Sequence, residues 1–305
     1  MQPVRRGSRA VGVALVLAAA VLWSTGGLGI KSIDLPPLAL AGWRAAFALP
    51  VLIGMVVVRA RRAGTMSWRT LGASRWTWLG AGSYALMLIA FVAATKMTTA
   101  ADAIFIQYTA PIYVALLSWP LLRERVTWRD GVACVGVLAG MVLFFGEGLA
   151  GSARVGNAIA VASSFGAAGL PLSLRAEQRR LAASGSSQAA LVAPSLAIAV
   201  GNVAAILLCL PAMIASPPHD AHAWSLVALL GVGQIGTPYV LYALAVPRLT
   251  ALEGSLLPTL EPILNPVWVA LFHGETPGHL AVMGGICVLA SVLFQATSSR
   301  RGQSR

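Results

Sequence analysis

The sequence predicts an all-α membrane protein, with ten transmembrane helices laid out as two inverted five-helix repeats. Three observations carry that expectation. Of the 305 residues, 57% are hydrophobic and only 10% are charged, against roughly 25% charged in a soluble domain. A water-exposed surface cannot be built from so few charges. Apolar runs recur along the whole chain, most of them close to the length that crosses a ~30 Å hydrocarbon layer. The basic residues also alternate: with the N-terminus placed inside, eighteen of the 22 Lys and Arg fall in cytoplasmic segments, three fall outside and Arg44 lies within a span. That asymmetry is the positive-inside pattern. The net charge of +12 therefore reads as topology and not as a nucleic-acid surface.

The first run is Val11–Ile30. Its start, MQPVRRGSRAVGVALVLAAA, is basic and then apolar like a signal peptide. The apolar stretch outlasts a signal-peptide core and more spans follow, so it reads as an uncleaved first helix. Leu38–Val58 is closed by Arg59, Arg61 and Arg62, and Trp76–Ala94 follows. Ala103–Leu122 is closed by Arg123, Arg125 and Arg129, and Val132–Leu149 completes the first half. The joint GEGLAGSAR, 146–154, is a short Gly-rich turn. Val155–Leu174 leads into RAEQRRLAASGSSQ, 175–188, which reads as a polar, mobile loop. Ala189–Ala212, Trp224–Val246, Ala251–Phe272 and Leu280–Ala296 are the last four runs. Both termini are expected in the cytoplasm.

The ninth run organises the rest. Pro258, Pro262 and Pro266 interrupt it at intervals of four. Each proline lacks an N–H and frees a carbonyl one turn back, and the spacing puts all three on one helical face. Glu261 sits near mid-span, with Asn265 one turn on. A carboxylate at that depth costs about 2.5–3.5 kcal/mol on insertion scales. A kinked helix with a mid-span acid is tolerable only against protein or a water-filled cavity.

Laid over the second half with an offset of 151, Asp102 falls on Glu253, Pro111 on Pro262, Ile112 on Ile263 and Glu124 on Glu275. With an offset of 144, Gly12 falls on Gly156 and Lys31 on Arg175. The two halves are 10–149 and 153–297. Five helices per half forces opposite orientation. Loop charge agrees: the 59–75 loop is basic, whereas 213–223 carries no Lys or Arg.

These residues carry a family resemblance. LWSTGGLGIK (22–31), GWR (42–44), APIYVALLSWPLLRERVTWRDGVACVGVLAG (110–140) and LEPILNPVWVALFHGETPG (260–278) resemble the drug/metabolite transporter superfamily, and within it the ten-helix EamA-type transporters. The apolar helix ending in a glutamate before a new helix, at Glu124 and Glu275, is the most specific part. The resemblance implies a carrier with a central cavity and alternating access. It implies that the first four helices of each half surround the cavity while the fifth and tenth brace it. The doublet Gly26–Gly27 departs from the symmetry, because Pro171 stands at the matching place in the second half.

Arg44 and Glu261 are the two charges deep within spans, and such groups are candidate functional residues. Glu261 can bind a substrate ammonium or take up a proton; the alternative is a neutral, hydrogen-bonded brace at the kink. Arg44 can hold a substrate carboxylate through its forked donors; the alternative is a buried partner for Asp102 or for a helix-end carbonyl. A polar and aromatic set joins them: Trp23, Ser24, Thr25, Tyr84, Gln107, Tyr108, Gln234, Thr237, Tyr239, Asn265 and Trp268. Cavities for organic solutes combine aromatic walls with a few placed polar groups, although such residues also form ordinary interhelical hydrogen bonds. Pro111, Pro238, Pro258, Pro262 and Pro266 are candidate hinges.

Cys134, Cys209 and Cys287 lie in apolar runs and read as small packing residues. Gly136-x-x-x-Gly140 reads as close helix packing within the protomer. His219, His222, His273 and His279 fall in outer segments; His219-x-x-His222 can bind a metal or sense external pH, the alternative being a solvated loop, and the cysteines show no metal spacing or disulfide framework. No Walker loop and no H-E-x-x-H or Gly-x-Ser-x-Gly motif occurs. ATP is therefore not the expected energy source, and neither a cofactor nor a metal is expected. The expectation is a secondary carrier of the inner membrane, exporting small amphipathic metabolites such as amino acids or drug-like compounds, with the lipid bilayer and protons as partners, as a monomer or weak homodimer. A passive pore is the rival reading, and a membrane enzyme acting on lipid-linked substrates is the more remote one.

Overall fold

The computed structural model describes residues 6–64, 74–145, 153–264 and 279–298. Every regular element in them is helical. Pro37–Ala63, Arg75–Met97, Asp102–Leu122, Arg154–Ala183, Ser187–Ala215 and Ala221–Arg248 form six segments long and apolar enough to cross a membrane. Arg9–Trp23 and Val282–Gln295 are shorter apolar helices. Leu116, Trp119, Trp128, Leu208 and Ile214 each expose 63–74% of their surface. Large apolar side chains exposed to that extent suit hydrocarbon and not water.

The first segment is two helices, α1 (Arg6–Trp23) and α2 (Gly26–Ser32). Between them, the hydroxyls of Ser24 and Thr25 donate to Val21 O and Leu22 O, replacing the amides that a continuous helix would supply. Helix α3 (Pro37–Ala63) ends at Gly64, whose left-handed φ of 62° lets its N–H reach Ala60 O and Arg61 O. Helix α4 (Arg75–Met97) is capped by Ser74. Thr99 caps α5 (Ala100–Gln107), and α6 (Ala110–Leu122) starts afresh after Tyr108–Thr109. Pro111 explains the break, because it cannot donate to the Gln107 carbonyl.

Helix α7 (Trp128–Phe145) leads to α8 (Arg154–Ala183) and α9 (Ser187–Ala215). The polar loop expected at 175–188 is absent: α8 runs through it to Ala183, and the turn is confined to Ser184–Ser186. The reason is tertiary. Glu177 is buried and takes hydrogen bonds from Ser74 and Arg180, while Arg175 pairs with Glu124 at 2.7 Å. The charges that suggested a solvated loop are anchored within the helix.

Helix α10 (Ala221–Leu229) passes through a π-helical stretch, Leu230–Gly236, into α11 (Thr237–Ala245). Pro238 cannot donate to Gln234 O, and both N–H and Oγ of Thr237 turn back to Val232 O instead. After a 3-10 turn at Val246–Arg248, α12 (Ala251–Leu256) opens with a Thr250/Glu253 capping box and gives way to a second 3-10 turn, Leu257–Leu260. Residues 261–264 are helical again. Helix α13 (His279–Ser298) closes the described chain. Several of the spans expected from hydropathy are therefore broken within their length.

Helix α4 packs on both α8 and α9, and α3 packs on α9, at distances that only small residues allow. A Cβ on Gly201 would lie 2.5 Å from Ala81 O, and one on Gly166 would lie 2.7 Å from Ser83 O. Helix α7 pairs with α13. The Gly136/Gly140 motif serves that pairing: Gly136 faces Ser291, and Gly140 faces Gly284 and Val288. Cys134, Cys209 and Cys287 are free thiols. Gly12 lies against Arg248 and Leu249, while Gly156 lies against Met97 and Thr98.

Candidate functional site

A cavity of about 120 Å³ sits where the broken segments meet. One ordered water needs about 10–15 Å³ on this measure, so the space suits a compact organic solute. Its wall includes Trp23, Arg44, Met87, Phe91, Gln107, Tyr108, Pro111, Pro171, Gln234, Tyr239, Tyr242, Pro258 and Glu261.

Arg44 enters from α3 and is 2% exposed. Its Nη2 donates to Gln234 Oε1, while Nε and Nη1 have no hydrogen-bond partner among the described residues. Asp102, a partner that the sequence allowed, is engaged elsewhere: it takes hydrogen bonds from Thr98 Oγ1 and, through its own N–H, reaches Thr99 Oγ1. Gln234 comes from the π-helical stretch. Its Nε2 donates to Trp23 O at 3.3 Å, one of the carbonyls left over where α1 breaks. Gly231 sits against Arg44 O and Phe47, and Gly26 against the Gln234 side chain, so glycines bring these three backbones into reach. Leaving charged donors buried and unpaired costs several kcal/mol.

Tyr239 is the hub of the aromatic wall. Its ring meets Trp23 at 5.0 Å and Tyr84 at 4.8 Å, both edge-on, and Tyr242 at 6.3 Å. Tyr84 stands behind it and is fully buried; it does not line the cavity. Its hydroxyl donates to Asn202 Oδ1 at 3.2 Å, and Asn202 donates to Ala45 O at 2.7 Å. Tyr84 thus braces Tyr239 from below.

Gln107 and Tyr108 come from the break between α5 and α6. Gln107 donates to Ser163, and the Ser163 hydroxyl donates to Met87 O. Tyr108 Oη lies 2.6 Å from Glu261 Oε2 and 2.9 Å from Pro258 O. The ninth segment's kink is thereby tied to the fourth segment's break. Pro111 and Pro238 stand at the starts of α6 and α11. Pro258 is in the 3-10 turn and Pro262 in the helical residues that follow. Asn265, Pro266, Trp268, His273 and Glu275 lie outside the described residues. Ser24, Thr25 and Thr237 are spent on backbone carbonyls and take no part in the wall. Tyr242, Met87 and Pro171 were missed from sequence; the three-residue spacing from Tyr239 was a signal for Tyr242.

A smaller recess adjoins the cavity and shares Pro171, Tyr242 and Gly254 with it, while Arg175, Thr250 and Ala251 line its far side. There Glu124 Oε1 pairs with Arg175 and Glu124 Oε2 accepts from Ala251 N. Nearby in sequence, Glu253 pairs with Arg9 through two nitrogens.

A family model described as the EamA-like transporter family matches residues 10–146 and 181–297. Solute carrier family 35 member G1 of Homo sapiens is 23% identical over 294 residues, spanning 92% of this chain and 77% of that protein. A protein of known crystal structure superposes with a TM-score of 0.73 at 20% identity, covering 96% of this chain and 99% of its own. At that identity the likeness speaks for the fold alone.

Proposed function

The chain belongs to the EamA-like transporter family of the drug/metabolite transporter superfamily and is a multi-pass membrane protein; from that premise we propose that it is a secondary carrier exporting small amphipathic metabolites by alternating access. The observation that carries this reading is Arg44: a buried guanidinium with two unpaired nitrogens on the wall of an aromatic cavity that also holds Glu261. An anionic group of the solute docks on Arg44, its apolar body lies against Trp23, Tyr239 and Tyr242, and an ammonium or a proton neutralises Glu261. Amino acids and amphipathic drug-like compounds have this combination of groups.

The carrier is read as ten spans in two inverted repeats, 10–149 and 153–297, with both termini in the cytoplasm of an inner-membrane protein. Two contacts support the repeat. Gly12 packs on residues 248–249 and Gly156 packs on residues 97–98, which are the same pair under the offsets of 144 and 151. Thr99 caps Asp102 as Thr250 caps Glu253, again at 151.

Counterflow in proteoliposomes tests the proposal. A carrier shows uptake accelerated by solute on the far side; a pore does not. A solute that stabilises the purified protein, yet moves at a rate indifferent to the far side, overturns alternating access.

A further inference from the structure

We propose that Glu261 carries the coupling proton, and that Tyr108 reports its presence to the Pro258 kink. This rests on the carrier reading and names the ion that drives it.

The argument is a count of hydrogens. Pro258 O can only accept, and Tyr108 has one hydroxyl hydrogen. Yet Tyr108 Oη lies within hydrogen-bond distance of both Pro258 O, at 2.9 Å, and Glu261 Oε2, at 2.6 Å. If Glu261 is ionised, that single hydrogen is contested. The Pro258 carbonyl then keeps only the 3-10 bond from Glu261 N, because Pro262 has no N–H to offer. The carboxylate, able to take several donors, receives one. If Glu261 is protonated, every contact is satisfied: the acid donates to Tyr108 Oη, and Tyr108 donates to Pro258 O. The relay Glu261–Tyr108–Pro258 is complete only with the proton on board.

The surroundings favour the same assignment. Arg44 is the other charged side chain on the cavity wall among the described residues, and it donates to Gln234 and not to Glu261. Tyr239 on α11 and Tyr242 are the other titratable groups there. Helix α8 contributes Ala167, Leu170 and Pro171, and α1 contributes Trp23. On α13, the Cys287 thiol is used on Gly136 O.

The release step balances simply. The Glu261 O–H bond breaks, and the proton passes to solvent when the cavity is open. The Tyr108 hydrogen then turns from Pro258 O to Oε2. The bond from the fourth segment's break to the Pro258 carbonyl is lost and a bond to the Glu261 carboxylate takes its place, so the tie shifts from the backbone of the 3-10 turn to the side chain that closes it. A solute ammonium entering the cavity takes the proton's place beside the carboxylate, so solute and proton exclude each other.

Infrared difference spectroscopy on the purified protein reads the relay directly. The wild type at neutral pH is expected to show a protonated-carboxyl carbonyl stretch that disappears in Glu261→Gln. Tyr108→Phe is expected to move that band to higher frequency, since the acid loses its acceptor. Absence of the band from the wild type, its survival in Glu261→Gln, or an unmoved band in Tyr108→Phe overturns the proposal. Should Glu261→Gln not fold, the Tyr108→Phe shift decides alone. In liposomes, Glu261→Gln should lose accumulation driven by a proton gradient, and wild-type accumulation in this variant overturns the proposal. Exchange in the wild type without the band sinks the proton site and spares the carrier. The band without any exchange does the reverse.

Discussion

Arg44→Lys is the most searching test of the site. Lysine keeps the charge and most of the length, but offers a single ammonium in place of a planar fork. In the structure Nη2 is committed to Gln234, leaving Nε and Nη1 for a ligand. The ammonium can hold Gln234 or the solute anion well, but not both with arginine's geometry. Losing one charge-assisted hydrogen bond costs about 1.5–3 kcal/mol, which is about a 10- to 150-fold loss of affinity at about 1.4 kcal/mol per decade. The assay is a titration of solute-induced stabilisation for wild type and Arg44→Lys, run with a carboxylate solute and with its methyl ester. The acid should lose that factor on substitution, and the ester, already weak, should lose little. An equal loss for acid and ester would show that Arg44 supports the fold of the cavity and does not read the anion.

Three further predictions follow from the packing. Glu253→Ala removes both the capping box and the Arg9 pair; the cap alone is worth about 1 kcal/mol, so the thermal midpoint should fall further than in Thr250→Ala, and an equal fall would show that the ion pair adds nothing. Gly201→Leu places a side chain where even a Cβ lies 2.5 Å from Ala81 O; overpacking of about 1–3 kcal/mol should cut the yield of folded protein, while Gly82→Leu, which faces open space, should be neutral. Single cysteines at 65 and 220 on a cysteine-free background should be labelled from opposite sides of the membrane, and labelling from the same side would refute the inverted arrangement.

The candidate site was half legible in the sequence. Arg44 and Glu261 stood out because a charge inside an apolar run is costly wherever the run ends up, so its presence signals use. Tyr84 drew notice for the same reason as Tyr239, yet one lies behind the wall and the other on it, a difference of rotation and depth that residue type does not encode. The segment 175–188 misled because its composition suits a solvated loop; Ser74 and Glu124, 103 and 51 residues away from their partners, hold it as a helix.

What the sequence determined by itself was the solvent: the scarcity of charge, the repeated apolar runs and the family motifs place this chain in a bilayer as a helical transporter. These are sums over many residues, insensitive to how any two of them meet. Prolines at 111, 238, 258 and 262 also told where backbone bonds would be missing. Only the tertiary structure decided what replaced them. Tyr108 reaches Pro258, Gln234 reaches Trp23 O and Thr237 turns back to Val232. Each choice depends on which broken helix end lies beside which side chain, and that is settled by the packing of segments distant in the chain.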